Sequence, residues 1–278
     1  MDVFTASDGA AIAYRDEGAG RPLVLLHGLM ANSAFFEPQR ALADSFRVIS
    51  VDLRGHGRTT AGETPPTVAR LAADVAELAR SLDLRDALVV GWSLGASVLW
   101  RLLSGPDTGR FAAAVVVDMT PCVQNDGDWT LGLSRDHCDA RSAAIASDYP
   151  AFAATAGAAI FAQPLDDRTE PMARWSAAEF VRADAGAVAA LWDSLVAEDF
   201  RAELGRIRQP TLVVHGAHSH LYDAATAAHI VAALPNGRDM QFDRSGHSPH
   251  LEQPERFNRA LRDFAASLPP VHTSELIF

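Results

Sequence analysis

The stretch Ala87-Leu88-Val89-Val90-Gly91-Trp92-Ser93-Leu94-Gly95-Ala96-Ser97-Val98-Leu99-Trp100 reads as a buried strand, a sharp turn with Ser93 at its tip, and then an apolar helix. A serine hydroxyl is a poor nucleophile. It becomes useful when it projects from a tight strand-to-helix turn, where a base can reach it and a helix N-terminus helps to stabilise negative charge. Gly91 and Gly95 fit such a turn, because side chains there would crowd it and the adjoining packing. Trp92, beside the serine, is placed near any pocket that forms around it.

Upstream, Arg21-Pro22-Leu23-Val24-Leu25-Leu26-His27-Gly28-Leu29 is an apolar strand that ends in a His-Gly turn. The backbone N–H groups of Leu29 and Leu94 are therefore candidates for an oxyanion hole, with Gly28 at the pocket edge. Such donors are typically worth roughly 3 kcal/mol each. Downstream, in Gln241-Phe242-Asp243-Arg244-Ser245-Gly246-His247-Ser248-Pro249-His250, His247 falls on a loop between a short strand and a final helix. That is where a general base completes the order nucleophile, acid, histidine.

These segments, with Val48-Ile49-Ser50-Val51-Asp52-Leu53-Arg54-Gly55-His56-Gly57-Arg58 between them, resemble the α/β-hydrolase family in order and spacing along nearly the whole chain. Gly91-Trp92-Ser93-Leu94-Gly95, Thr120-Pro121-Cys122 and Asp128-Trp129 are most similar to pimeloyl-ACP methyl ester esterases and related carboxylesterases. The resemblance implies an acid a few residues after Thr211-Leu212-Val213-Val214-His215-Gly216, but Ser219 stands at that place. Serine cannot stabilise an imidazolium as a buried carboxylate does. Asp118, at the end of the strand Ala112 to Val117, is the preferred acid; Asp223, or a dyad without an acid, is the alternative. His56 resembles a common family turn and is assigned a structural role.

Strand patterns at Leu23 to Leu26, Val48 to Val51, Ala87 to Val90, Ala112 to Val117, Leu212 to Val214 and Asp239 to Phe242 alternate with helical ones, after an N-terminal hairpin around Asp8-Gly9. Val68, Leu71, Ala72, Val75, Leu78, Ala79 and Leu82 recur at helical spacing. The expected fold is α/β: a mainly parallel sheet with helices on both faces. Between Pro121 and Gln209 the alternation stops in an alanine-rich, helix-prone region carrying Trp129, Tyr149, Phe152, Phe161, Trp175, Phe180 and Trp192. It is read as a helical cap over residues 122–209, inserted in a core of residues 1–121 and 210–278.

With 278 residues, 48% hydrophobic, the chain can bury one sizeable core. A net charge of −11 argues against nucleic acid and anionic membrane surfaces as partners. Met1 to Gly9 lack the basic start and apolar run of a signal peptide, so a cytoplasmic protein with Cys122 and Cys138 as thiols is expected. His215, His218 and His220 lack nearby cysteine or carboxylate at ligand spacing, and neither metal nor cofactor is expected.

The resulting expectation is a serine hydrolase of small-molecule carboxylic esters with small to medium acyl groups. Ser93 is its nucleophile, His247 its base and Asp118 its acid. Perhydrolysis or acyl transfer on the same acyl-enzyme, and a slow-turnover ligand receptor on the same fold, are the alternatives. The oligomeric state is not legible.

Overall fold

The structure, a computed structural model, describes residues 1–60, 62–63 and 65–269. Residues 270–278 of the expected core lie outside these. The strands are β1 (Asp2–Thr5), β2 (Ala11–Gly18), β3 (Arg21–Leu26), β4 (Phe46–Val51), β5 (Ala87–Trp92), β6 (Phe111–Val117), β7 (Thr211–Gly216) and β8 (Gly237–Phe242). They form one sheet in the order β1-β2-β4-β3-β5-β6-β7-β8. β1 with β2, and β2 with β4, pair antiparallel; the pairs from β4 through β8 are parallel.

Every residue of β5 and β7 is buried, which explains why their sequences run as near-continuous apolar stretches instead of alternating. α1 (Val68–Ser81) follows β4 and presents the stripe Val68, Leu71, Ala72, Val75, Leu78 and Ala79 to the core. Its entry is capped by Thr67, whose side chain accepts from the Arg70 N–H. α2 (Leu94–Leu103) follows β5 directly and buries nine of its ten residues, Arg101 excepted. Five helices lie between β6 and β7: α3 (Arg135–Ser147), α4 (Tyr149–Ala159), α5 (Thr169–Phe180), α6 (Ala185–Val196) and α7 (Arg201–Leu204). α8 (Ala224–Ala233) joins β7 to β8, and α9 (Pro249–Glu252) and α10 (Pro254–Ala266) close the described chain.

The register brings the carboxyl ends of the central strands level, with Leu26 opposite Gly91, Trp92 opposite Val117 and Gly216 opposite Phe242. His27, Ser93, Asp118, Ser219 and His247 all follow those ends in sequence. Clefts in open α/β sheets form at this edge, where neighbouring loops diverge. Phe35 ties the inserted helices to it: its ring stacks on Phe180 at 5.3 Å and on Trp92 at 5.7 Å, with Trp175 4.6 Å away.

Candidate active site

Ser93 sits between β5 and α2 with φ 54° and ψ −121°, a conformation that costs a non-glycine residue about 1–3 kcal/mol. Surrounding contacts enforce it. The Ser93 N–H donates to Val117 O at 3.0 Å, and Ser93 O accepts from Ala96 N at 2.8 Å. A Cβ on Gly91 would collide with the Gly95 carbonyl, and one on Gly95 with the Leu26 carbonyl, so only glycine allows so close a turn. The side chain of Ser93 makes no protein hydrogen bond among the described residues.

Asp118, directly after β6, also has positive φ, 47°. Its carboxylate is buried and accepts from His247 Nδ1 at 2.6 Å and from Ser219 Oγ at 2.7 Å through Oδ2, while Oδ1 receives the Gly216 N–H at 3.4 Å. With Nδ1 donating to Asp118, the neutral His247 ring keeps its lone pair on Nε2. His247 is further fixed by Trp92, whose indole N–H donates to His247 O at 2.8 Å. Asp223, by contrast, is exposed and serves as the N-cap of α8, accepting from Thr226 N at 3.1 Å.

Ser93, His247, Trp92, Gly28 and Leu29 line a single cleft of about 500 Å³, part of it open to solvent. Its remaining walls come largely from the inserted helices: Arg141, Phe152, Ala156, Ala159, Ile160 and Phe180. Gly28 adjoins the serine so closely that a Cβ there would lie 3.2 Å from Ser93 Cβ and 3.3 Å from Trp92 Cε3. The N–H groups of Leu29 and Leu94 have no protein acceptor among the described residues, whereas the next amide, Met30 N, donates to His56 Nε2 at 3.0 Å. A buried base, a serine on a constrained turn and free amide donors around one cleft are the components of acyl transfer.

Residues 21–254 match the family model described as alpha/beta hydrolase fold. The chain belongs to that family. It is 31% identical over 286 residues to the non-heme chloroperoxidase of Streptomyces lividans, covering 96% of this chain and 100% of that one. It is also 31% identical over 258 residues to a pimeloyl-acyl-carrier-protein methyl ester esterase of Nitrosomonas europaea, covering 89% and 97%. Among solved structures, an esterase from Exiguobacterium antarcticum superposes with a TM-score of 0.90 at 27% identity, over 95% of this chain and 99% of that one.

In this alpha/beta hydrolase, several supports of the cleft are not apparent from sequence. Ser219 donates to Asp118, so the residue at the place where the resemblance puts the acid instead holds the Asp118 carboxylate in position. His27 and His56, 5.1 Å apart, are both buried and are held neutral. Burial pushes their pKa values down to about 4 and about 3. Neutrality is what their bonds require: each ring accepts a backbone N–H on Nε2, from Leu53 at 2.9 Å and from Met30 at 3.0 Å, and turns Nδ1 to a carbonyl. The pair thereby pins the His27–Met30 turn to the loop after β4.

Glu252 is the third support. Its buried carboxylate accepts from Gly246 N, next to His247, and from Ala162 N between α4 and α5, each at 2.8 Å. Burial raises its pKa even so. The only sequence signal for Glu252 was its position after the His247 loop, and periodicity could not reveal the partners. Of the clustered histidines, His215 binds Asp239 at 3.0 Å, and β7 ends at Gly216, before His218. No group of three or more His, Cys, Asp or Glu among the described residues is arranged to hold a metal ion. No helix among them is long and apolar enough to cross a membrane.

Proposed function

We propose that the protein hydrolyses carboxylic esters of small to medium acyl groups through an acyl-enzyme on Ser93. The observation that carries this reading is the Asp118–His247 hydrogen bond of 2.6 Å, buried behind a cleft that Ser93 also lines. His247 Nε2 takes the Ser93 proton as the oxygen attacks the acyl carbon, then returns it to the leaving alcohol. Asp118 orients the ring and stabilises the transient imidazolium. The amides of Leu29 and Leu94 receive the oxyanion. Water, activated by the same histidine, then releases the acid. In this account residues 122–209 act as a cap, and a walled cleft of this size suits individual molecules better than a lipid surface.

A second reading is favoured by the relatives named non-heme chloroperoxidases. Hydrogen peroxide in place of water would attack the acyl-enzyme and release a peroxy acid. The two readings share every step up to the acyl-enzyme.

The test is a panel of p-nitrophenyl esters from acetate to decanoate, together with emulsified long-chain triglycerides. The short and medium esters should turn over and the emulsions should be poor substrates. No turnover above background anywhere in the panel would overturn the reading and leave a ligand-binding role on the same fold. A sharp rise in activity at the oil–water interface would overturn the enclosed-pocket part of it.

A further inference from the structure

Arg141 projects from α3 into the cleft as a partly buried cation without an anionic partner. Its guanidinium carbon lies 4.9 Å from the Trp192 ring centroid and 5.7 Å from that of Phe152, itself a lining residue. It makes no salt bridge and no hydrogen bond among the described residues. The remaining lining residues are apolar apart from Ser93 and His247. Burial lowers the pKa of Arg141, and the groups that act on its charge are Tyr222 and Cys138, neither of them a carboxylate.

The missing partner is not for want of acids in the chain. Asp and Glu number 35 against 24 basic residues, so acidic partners are plentiful. Arg54, which is fully buried, is paired with Asp74 at 2.7 Å and Asp8 at 2.9 Å. Buried charges are normally matched, because desolvating one without compensation is unfavourable. The two aromatic faces compensate Arg141 in part and fix where it points. They do not use its N–H donors, which are arranged as a fork that fits a carboxylate.

Resting on the ester-hydrolase reading, we infer that the cleft selects esters that carry a second, free carboxylate remote from the scissile bond, and that Arg141 binds it. The apolar walls from Phe152, Ala156, Ala159, Ile160 and Phe180 would hold the carbon chain between the two ends. Arg141 is thus a specificity-determining residue, and it contributes nothing to bond cleavage itself.

The experiment compares kcat/KM for p-nitrophenyl monoesters of dicarboxylic acids (four to seven carbons) with the length-matched methyl-capped diesters, in the wild type and in Arg141→Gln and Arg141→Lys. A parallel pair carries the carboxylate on the alcohol side. In the wild type at least one anionic ester should exceed its neutral match. Arg141→Gln should lower that value about 10- to 100-fold, chiefly through KM, as expected for a charge-assisted bond, and lower the neutral ester far less, so that the anionic-over-neutral preference collapses. Arg141→Lys should retain part of the preference. The inference is overturned if no anionic ester exceeds its match, or if Arg141→Gln lowers both alike. Neutral esters that turn over normally would then leave the hydrolase reading intact, whereas failure of every ester in the wild type would remove that reading itself.

Discussion

Replacing Asp118 by asparagine keeps the shape of the side chain and removes the charge. Asp118 Oδ2 holds two donors, His247 Nδ1 and Ser219 Oγ, and Oδ1 faces the Gly216 N–H at 3.4 Å. If the asparagine turns its NH₂ to His247, the ring must present a lone pair at Nδ1, which moves its proton to Nε2 and removes the base. If it turns its oxygen there instead, the tautomer survives but NH₂ meets the Gly216 N–H and the imidazolium loses its counter-charge. For unit charges about 4 Å apart at an effective dielectric constant of ~20, that attraction is about 4 kcal/mol, equivalent to roughly a thousandfold in rate. Asp118→Asn should therefore lower kcat on a p-nitrophenyl ester roughly a thousandfold, with KM little changed, because Asp118 is not among the residues lining the cleft. Ser219→Asp placed in that background should restore part of the loss, since position 219 already reaches Asp118 Oδ2 at 2.7 Å. A variant with kcat within about threefold of wild type, or loss of activity in Asp223→Asn instead, would show that Asp118 does not act as the acid.

Three further outcomes follow from the supports of the cleft. Burial holds His27, His56 and also His250, which is fully buried with its ring 4.7 Å from that of Trp92, at pKa values of about 4, 3 and 3, against about 6.5 for a free imidazole. The unfolded chain thus takes up protons first as pH falls, and the stability these residues contribute is complete above about 6.5 and is lost towards 4 and 3, at up to about 1.4 kcal/mol per pH unit each. Denaturant unfolding at pH 7.5 and 5 should show a drop of more than about 3 kcal/mol; equal midpoints would contradict it. Gly28→Ala should lower kcat/KM at least tenfold with an unchanged circular dichroism spectrum, because the new methyl lies against Ser93 and Trp92; wild-type kinetics would show that this space is not used. Glu252→Ala leaves the N–H groups of Gly246 and Ala162 without their acceptor, and should cost about 2–3 kcal/mol of stability while slowing turnover; an unaltered melting temperature would count against a joining role.

What the sequence disclosed was local. Val89, Val90 and the glycine-flanked Ser93 carry the strand, turn and helix within a few positions, and the buried face of α1 follows from spacing alone. Asp118 stood out because it follows directly on β6 while serine occupies the usual acid position, and the structure brings it to His247 across 129 positions of sequence. The remaining features depend on contacts with no local signature. The antiparallel pairing of β2 with β4 inverts the order of the first strands, and no pattern within β2 announces it. His27 and His56 are an ordinary turn residue and loop residue until burial and two backbone donors make them a neutral pair. Arg141 lies in a helix that reads as polar and half exposed, and only the packing of α3 against α6 and α4 shows which way it faces.

Whether Ser93 carries the acyl group is decided by a serine-directed fluorophosphonate followed by peptide mass spectrometry. One equivalent of adduct should appear on the peptide containing Ser93, with loss of esterase activity in step with labelling, and Ser93→Ala should show neither labelling nor turnover. Adduct on another residue, or a Ser93→Ala variant that still cleaves ester at the wild-type rate, would contradict that role of Ser93.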